Sequence, residues 1–232
     1  MNYSLAKLQK RSTEVQAADT LRQAIIAGTI PLGSRLTEIS VSEQLGVSRT
    51  TIRTALHQLV QEGLIIQIPY TGWTVMTLSA KDAWELYTLR ASLEALAARI
   101  VASKVDNGED AASIRAAMSE RFDHLQQACH SGDRAEIATQ DMALHNAMVD
   151  LSGHGRLRDQ YALIQHQILI YIRSSDSLIS DPALIVEQHR PLIEPILAGN
   201  PELAVEAATS HNETEGTVLV RHLESSQSKT LL

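Results

Sequence analysis

The stretch GVSRTTIR, residues 46–53, running on through TALHQLVQE to Gly63, decides the fold. Ser48 is placed to cap a helix, and Ile52, Ala55, Leu56, Leu59 and Val60 follow at the spacing of one buried face. The opposite face shows Arg49, Thr50, Thr51, Arg53, Thr54 and His57, crowded toward the N-terminus, and no apolar side chain. Two arginines at that end work against the helix dipole, which an anionic partner would offset. A recognition helix meets base edges and phosphates with such an end. A solvated helix face reads the same in isolation, so the flanks must decide.

Upstream, Val15, Ala18, Leu21, Ile25 and Ile26 make an amphipathic helix over residues 14–27, ending at Gly28, and Pro31 with Gly33 marks a turn. Thr37 can cap a short second helix with Val41 and Leu45 inward. Gly46 is placed for the left-handed turn before Ser48. This is helix-turn-helix spacing. Downstream, Leu64 to Ile68 reads as a strand, Pro69-Tyr70-Thr71-Gly72 as a turn and Trp73 to Met76 as the returning strand. Three helices and a terminal hairpin predict a winged helix.

The segments LRxxIIxG, PLGSRL, LGVSRT, IRxAL and EGLI, between residues 15 and 76, together resemble the GntR family of bacterial transcription regulators. The resemblance implies that Ser48, Arg49, Thr50, Thr51, Arg53 and the wing-tip Gly72 approach double-stranded operator DNA. Two positions depart from the family pattern: Ser42 replaces a small apolar residue, and Thr54 replaces a glutamate.

A net charge of −7 looks unfavourable for such a partner until it is divided. Residues 1–78 hold seven Lys/Arg against five Asp/Glu, so +2, and the remainder thirteen against twenty-two, so −9. A mildly basic head on an acidic body fits a DNA-binding module joined to something that does not touch DNA. The N-terminus lacks the apolar centre of a signal peptide, and no apolar run approaches the ~18–20 residues of a membrane span, which predicts a cytoplasmic protein without membrane contact. Cys129 is the single cysteine, which excludes an intramolecular disulfide and a multi-cysteine zinc site. Its apolar surroundings read as a core position.

Beyond residue 78 the pattern is helical throughout. Ser79 with Asp82 forms a capping signature for a long helix on which Leu86, Leu89, Leu93, Leu96 and Ile100 recur. Further helices are expected over 111–130, 133–151, 157–174, 182–198 and 201–222, with Gly-containing breaks between them. The domains are thus a winged helix-turn-helix over 1–78 and an all-α bundle over 79–232, a mainly α chain.

Asp141 and His145 stand four residues apart on one face of a helix, and His189 and His211 lie on two later ones. Four oxygen and nitrogen ligands without thiolate suit a divalent transition ion, although a plain hydrogen-bonded Asp/His pair has the same spacing. The bundle resembles the FCD effector domain of the FadR/VanR branch of the family. Many members hold a metal through an Asp-x-x-x-His helix, a histidine in Glu-x-His-Arg and a final histidine about one helix later. That resemblance implies metal ligands at Asp141, His145, His189 and His211, with zinc as the ion and nickel or manganese as alternatives. Pro191 and Pro195 depart from the expected helix and could re-aim His189. Arg90 and Glu94 read as a surface i, i+4 pair. The resemblance instead gives Arg90 the effector's carboxylate, which a guanidinium fork fits. His124, His130, His154, His166 and His222 have no such context.

The resemblance therefore implies a homodimeric, non-enzymatic DNA-binding regulator that senses a small carboxylate-bearing metabolite through a bound ion. Two rivals stay open. One is a metal-free regulator of the same fold that responds to an acyl chain or acyl-CoA. The other is a metal-dependent hydrolase, for which His-Glu-x-x-His and an evident general base are missing.

Overall fold

The computed structural model describes residues 11–68 and 72–230, with side chains to residue 226. The expected turn residues Pro69, Tyr70 and Thr71 lie outside the described residues. The chain divides into two compact units, Met1–Thr77 and Leu78–Leu232.

In the first unit, α1 (Thr13–Ile26) starts where the Ser12 hydroxyl accepts the Val15 N–H. Thr37 does the same for α2 (Glu38–Leu45), and Ser48 accepts from Thr51 at 3.1 Å to start α3 (Arg49–Gln61). Gly46 holds φ +65°, the left-handed turn that lets α3 leave α2. The hairpin pairs β2 (Ile65–Ile68) with β3 (Gly72–Val75), antiparallel. A strand the sequence reading did not foresee, β1 (Arg35–Leu36), pairs with the other edge of β3 and makes the order β1-β3-β2. Two residues are too few to show alternation, so pairing alone makes them a strand.

The core of this unit is apolar: Ala18, Leu21 and Ile25 of α1 meet Ile52, Ala55, Leu56 and Leu59 of α3, closed by Leu64, Ile65, Trp73 and Val75. Val15, expected inward, is 38% exposed, because Ala17 and Ala18 occupy the seam instead. Arg22 closes the edge, giving Nε and one terminal nitrogen to the two oxygens of Glu62 at 2.6 and 2.7 Å.

The second unit is six helices: α4 (Ala80–Asp106), α5 (Ala111–Ser131), α6 (Arg134–Leu151), α7 (Gly155–Asp176), α8 (Ala183–Ala198) and α9 (Pro201–Thr230). Ser79 and Asp133 cap α4 and α6 as their spacing suggests. The last helix outruns its expected end at His222. Helix α4 runs through the middle and packs against all five others, most extensively α9. Gly216 of α9 makes this possible, since a Cβ there would lie 2.8 Å from the Cβ of Tyr87.

Central placement changes the reading of α4. Its inward face is Ala83, Tyr87, Arg90, Ala91, Glu94, Ala97, Ala98 and Val101, all buried. Of the leucine series only Leu86 is buried; Leu89 is 47% exposed, and Leu93, Leu96 and Ile100 are half-buried. The surface-pair reading of Arg90 and Glu94 is therefore corrected: both have 0% exposure. Small alanines let neighbours close around α4, and its charged pair meets charged groups from other helices.

Candidate DNA-reading surface and candidate metal centre

Cap, turn and apolar stripe fix the orientation of α3, so its polar face is the outer one. Ser48, Arg49 and Thr50 are exposed, Thr51 is half-buried with its hydroxyl 3.0 Å from that of Ser48, and Arg53 is exposed. Gly72 opens β3 with φ +102°, a conformation side chains rarely adopt. Both departures from the family pattern are satisfied locally. The Ser42 hydroxyl donates to the Ile39 carbonyl, and Thr54 donates to that of Thr50. Arg53 is engaged: Nε and a terminal nitrogen meet Glu38 Oε1 and Oε2 at 2.9 and 2.7 Å. Glu38, fifteen residues earlier, carried no signal in the sequence.

In the helical unit, the four proposed ligands come together and are buried. His145 Nε2 and His189 Nε2 are 3.3 Å apart, and His189 Nε2 lies 3.2 Å from Asp141 Oδ2. His145 Nε2 is 3.5 Å from the other oxygen of Asp141. The His211 ring stacks on that of His145, with centroids 5.2 Å apart, and one ring nitrogen from each of the three histidines lies within 4.8 Å of the others. Nitrogens 3.3 Å apart are spaced as two ligands each about 2.0–2.1 Å from one ion would be. Asp141, His189 and Glu215 form an overlapping group. Pro191 and Pro195 sit inside α8 without displacing His189.

Outer partners lie behind two of the rings. The His189 Nδ1–H donates to the Ile185 carbonyl at 2.8 Å, and Glu94 Oε2 lies 2.8 Å from His145 Nδ1. With its Nδ1–H given to the Ile185 carbonyl, His189 presents Nε2 to the cluster, the face that ligating histidines usually present. Glu94 also accepts from Arg90 Nε at 2.7 Å, Tyr161 at 2.6 Å and Asn212 at 2.8 Å.

Burial and mutual charge shift most of the titratable groups in this cluster. Burial holds His211 well below its ordinary pKa, reinforced by the neighbouring His189 and His145, so it stays neutral. Burial would lower His189 too, but Asp141 overrides it and carries the ring up to about 9. Burial opposes ionisation of Glu94, yet Arg90 and His145 hold it well below the carboxylate range. Burial lifts Glu215 to about 7 and Asp176, with Asp141 nearby, to about 8. His211 Nε2, Asp141 Oδ1 and both terminal nitrogens of Arg90 are buried without hydrogen-bond partners. Such orphaned atoms fit a divalent cation and an anion beside it. A groove of about 180 Å³ lined by Gln188, Pro191, Thr214 and others includes His211 and Glu215 in its wall.

Sequence reasoning missed Tyr161, Asn212 and Glu215. The i, i+4 spacing of His211 and Glu215 was available as a signal; Glu94 was placed correctly opposite the leucines, but that side is the inward one. Of the histidines left without context, His154 caps α7 by accepting the Leu157 N–H.

The model of the FCD domain matches residues 85–214, and that of bacterial regulatory proteins of the gntR family matches residues 13–75. A protein of Paenarthrobacter nicotinovorans described as a probable D-xylose utilization operon transcriptional repressor is 30% identical over 213 residues, 91% of this chain and 90% of its own. The gluconate operon transcriptional repressor of Bacillus licheniformis is 29% identical, over 86% of this chain and 77% of its own. In fold, the chain is similar to a GntR transcriptional regulator from Rhodococcus sp. RHA1, with TM-score 0.75 and 24% identity, over 90% of this chain and 98% of that one. It is also similar to E. coli McbR/YncC, with TM-score 0.72 and 22% identity, over 92% and 99%.

Proposed function

The chain belongs to the GntR family and carries an FCD domain, which makes it a DNA-binding transcription regulator rather than an enzyme, and from that premise we propose that its helical unit senses a small carboxylate through a bound divalent ion. The observation that carries this reading is the convergence of three histidine rings with Asp141, His189 held from behind by the Ile185 carbonyl and His145 backed by Glu94 at 2.8 Å. Asp141, His145, His189 and His211 would hold the ion. Zinc suits the nitrogen-rich set, with nickel and manganese as alternatives. When bound, the ion supplies a positive charge and an open position for a carboxylate oxygen.

Arg90 is the second anchor. Its Nε is committed to Glu94, while its two terminal nitrogens lie buried, one of them 3.5 Å from Glu215. An effector carboxylate there would satisfy donors that otherwise cost free energy. A charged interior of this kind favours a small oxygenated ligand over an acyl chain. The operons named for the two relatives concern a sugar and a sugar acid, in keeping with that polarity. Ser48, Arg49, Thr50, Thr51, Arg53 and Gly72 form the DNA-reading set. Two copies would read a two-fold operator, because one recognition helix covers few base pairs and linked heads multiply weak affinities. Coupling between effector and DNA needs only ~1–3 kcal/mol of differential binding.

Elemental analysis of protein purified without chelator, with melting of wild type, His145→Ala and His211→Ala, tests this reading. One ion per chain and a lower melting temperature in both variants are expected. Metal-free protein after exposure to zinc, nickel and manganese, with unchanged melting in both, would overturn it.

A further inference from the structure

We propose that Glu38 is a positioning residue for DNA reading: it grips Arg53 from the side and leaves the end of the guanidinium facing outward. This rests on the reading that Arg53 contacts DNA. The two contacts use Nε–H and one hydrogen of a terminal nitrogen, at 2.9 and 2.7 Å. A guanidinium has five donors. Of the three that remain, two lie on the end formed by its two terminal nitrogens, the fork that matches guanine O6 and N7 or a phosphate. Side-on pairing therefore consumes none of the end-on reading geometry.

The grip is itself anchored. Glu38 opens α2 directly after the Thr37 cap, where the helix dipole favours a carboxylate. Its side chain is 15% exposed against 54% for Arg53, so the acid is the fixed partner and the arginine the projecting one. Arg53 above all, with Trp73 of β3 a lesser contributor, holds the same carboxylate below its ordinary pKa. That indole is 4% exposed and packs edge-on against His57 of α3, with ring centroids 4.9 Å apart. Glu38 thus ties α2 to α3, and Trp73 of the wing strand packs against the same helix through His57. An acid beside a phosphate-binding face repels DNA unless it contributes something there. Immobilising a long arginine before the partner arrives is such a contribution, because that ordering is then not charged to binding.

The test uses the full-length protein and a duplex it selects from a random-sequence pool. Affinity and base preference are measured for wild type, Arg53→Ala, Glu38→Ala, Glu38→Gln and the Arg53/Glu38 double alanine variant. Positioning predicts that Glu38→Ala weakens the selected duplex on the order of tenfold. It also predicts flattened preference at the same base step as Arg53→Ala, and a double variant no weaker than Arg53→Ala alone. Glu38→Gln, whose amide oxygen keeps one bond, should fall between wild type and Glu38→Ala, and it carries the test if Glu38→Ala melts early. Wild-type affinity in both Glu38 variants, tighter binding, or a loss that adds to that of Arg53→Ala would each overturn the proposal. Unchanged binding by Arg53→Ala alone would instead remove the reading on which it rests.

Discussion

The two units handle charge in opposite ways. In the winged helix the core is apolar, and the ion pairs Arg22–Glu62 and Arg53–Glu38 lie at its edge or on its face. In the helical unit the largest fully buried side chain is that of Arg90, paired with Glu94 and 3.5 Å from Glu215, and Asp141, His145, His189 and Asn212 are buried as well. Burying ions is costly unless every member is paired. The first unit therefore folds around its own hydrophobic contacts and meets its partner at the surface. The second leaves buried polar atoms unpartnered, and on the reading proposed above a bound ion and carboxylate would complete four of them.

The contrast is broken most severely by taking one partner out of the buried network. Glu94→Ala strands the Arg90 guanidinium and frees His145, and should cost ~3–5 kcal/mol in urea unfolding followed by helical circular dichroism. On the winged-helix side, Arg49→Ala should leave melting unchanged. If Arg49 reads a guanine edge, duplex affinity falls by ~1–3 kcal/mol. A uniform loss across sequences, with a salt slope reduced by ~1, would assign Arg49 to a phosphate instead.

A pH series sharpens the comparison further. Burial, then Asp141, lifts the Asp176 carboxyl to about 8 from its ordinary 3.8, so the folded protein keeps a proton that the unfolded chain releases. Its contribution to stability is full below about pH 4 and is lost as pH rises to about 8. Asp176→Asn should flatten that part of the melting profile in chelated protein and raise the melting temperature at pH 8. The smallest effect is expected at Cys129. Burial, with Asp176 nearby, pushes this thiol up to about 11, so a disulfide reagent at pH 8 should label it slowly when folded and rapidly in urea.

The winged helix was largely legible because its signals are local: Ser48 and Gly46 act within a turn, and Ile52 to Leu59 repeat at helical spacing. What escaped reading there, β1 and the Glu38 clamp, exists only through pairing with residues fifteen or more positions away. The four candidate ligands were visible because Asp141 and His145 share a helix face and the remaining histidines match a family spacing. Glu94 was misplaced for a physical reason. An i, i+4 pair of opposite charges looks the same on a surface helix and a central one. Only the packing of five helices around α4 distinguishes them.

The account's central claim is that the polar interior of the helical unit is a binding site and the apolar core of the winged helix is not. Hydrogen exchange of the full-length, chelated protein, before and after adding one equivalent of Zn²⁺, tests it most directly. The account predicts slower exchange in the segments of α4, α6, α8 and α9 around Glu94, Asp141, His189 and His211, with residues 11–68 unchanged. Unaltered exchange in those helices with Zn²⁺, Ni²⁺ and Mn²⁺ alike, or equal slowing in both units, would contradict it.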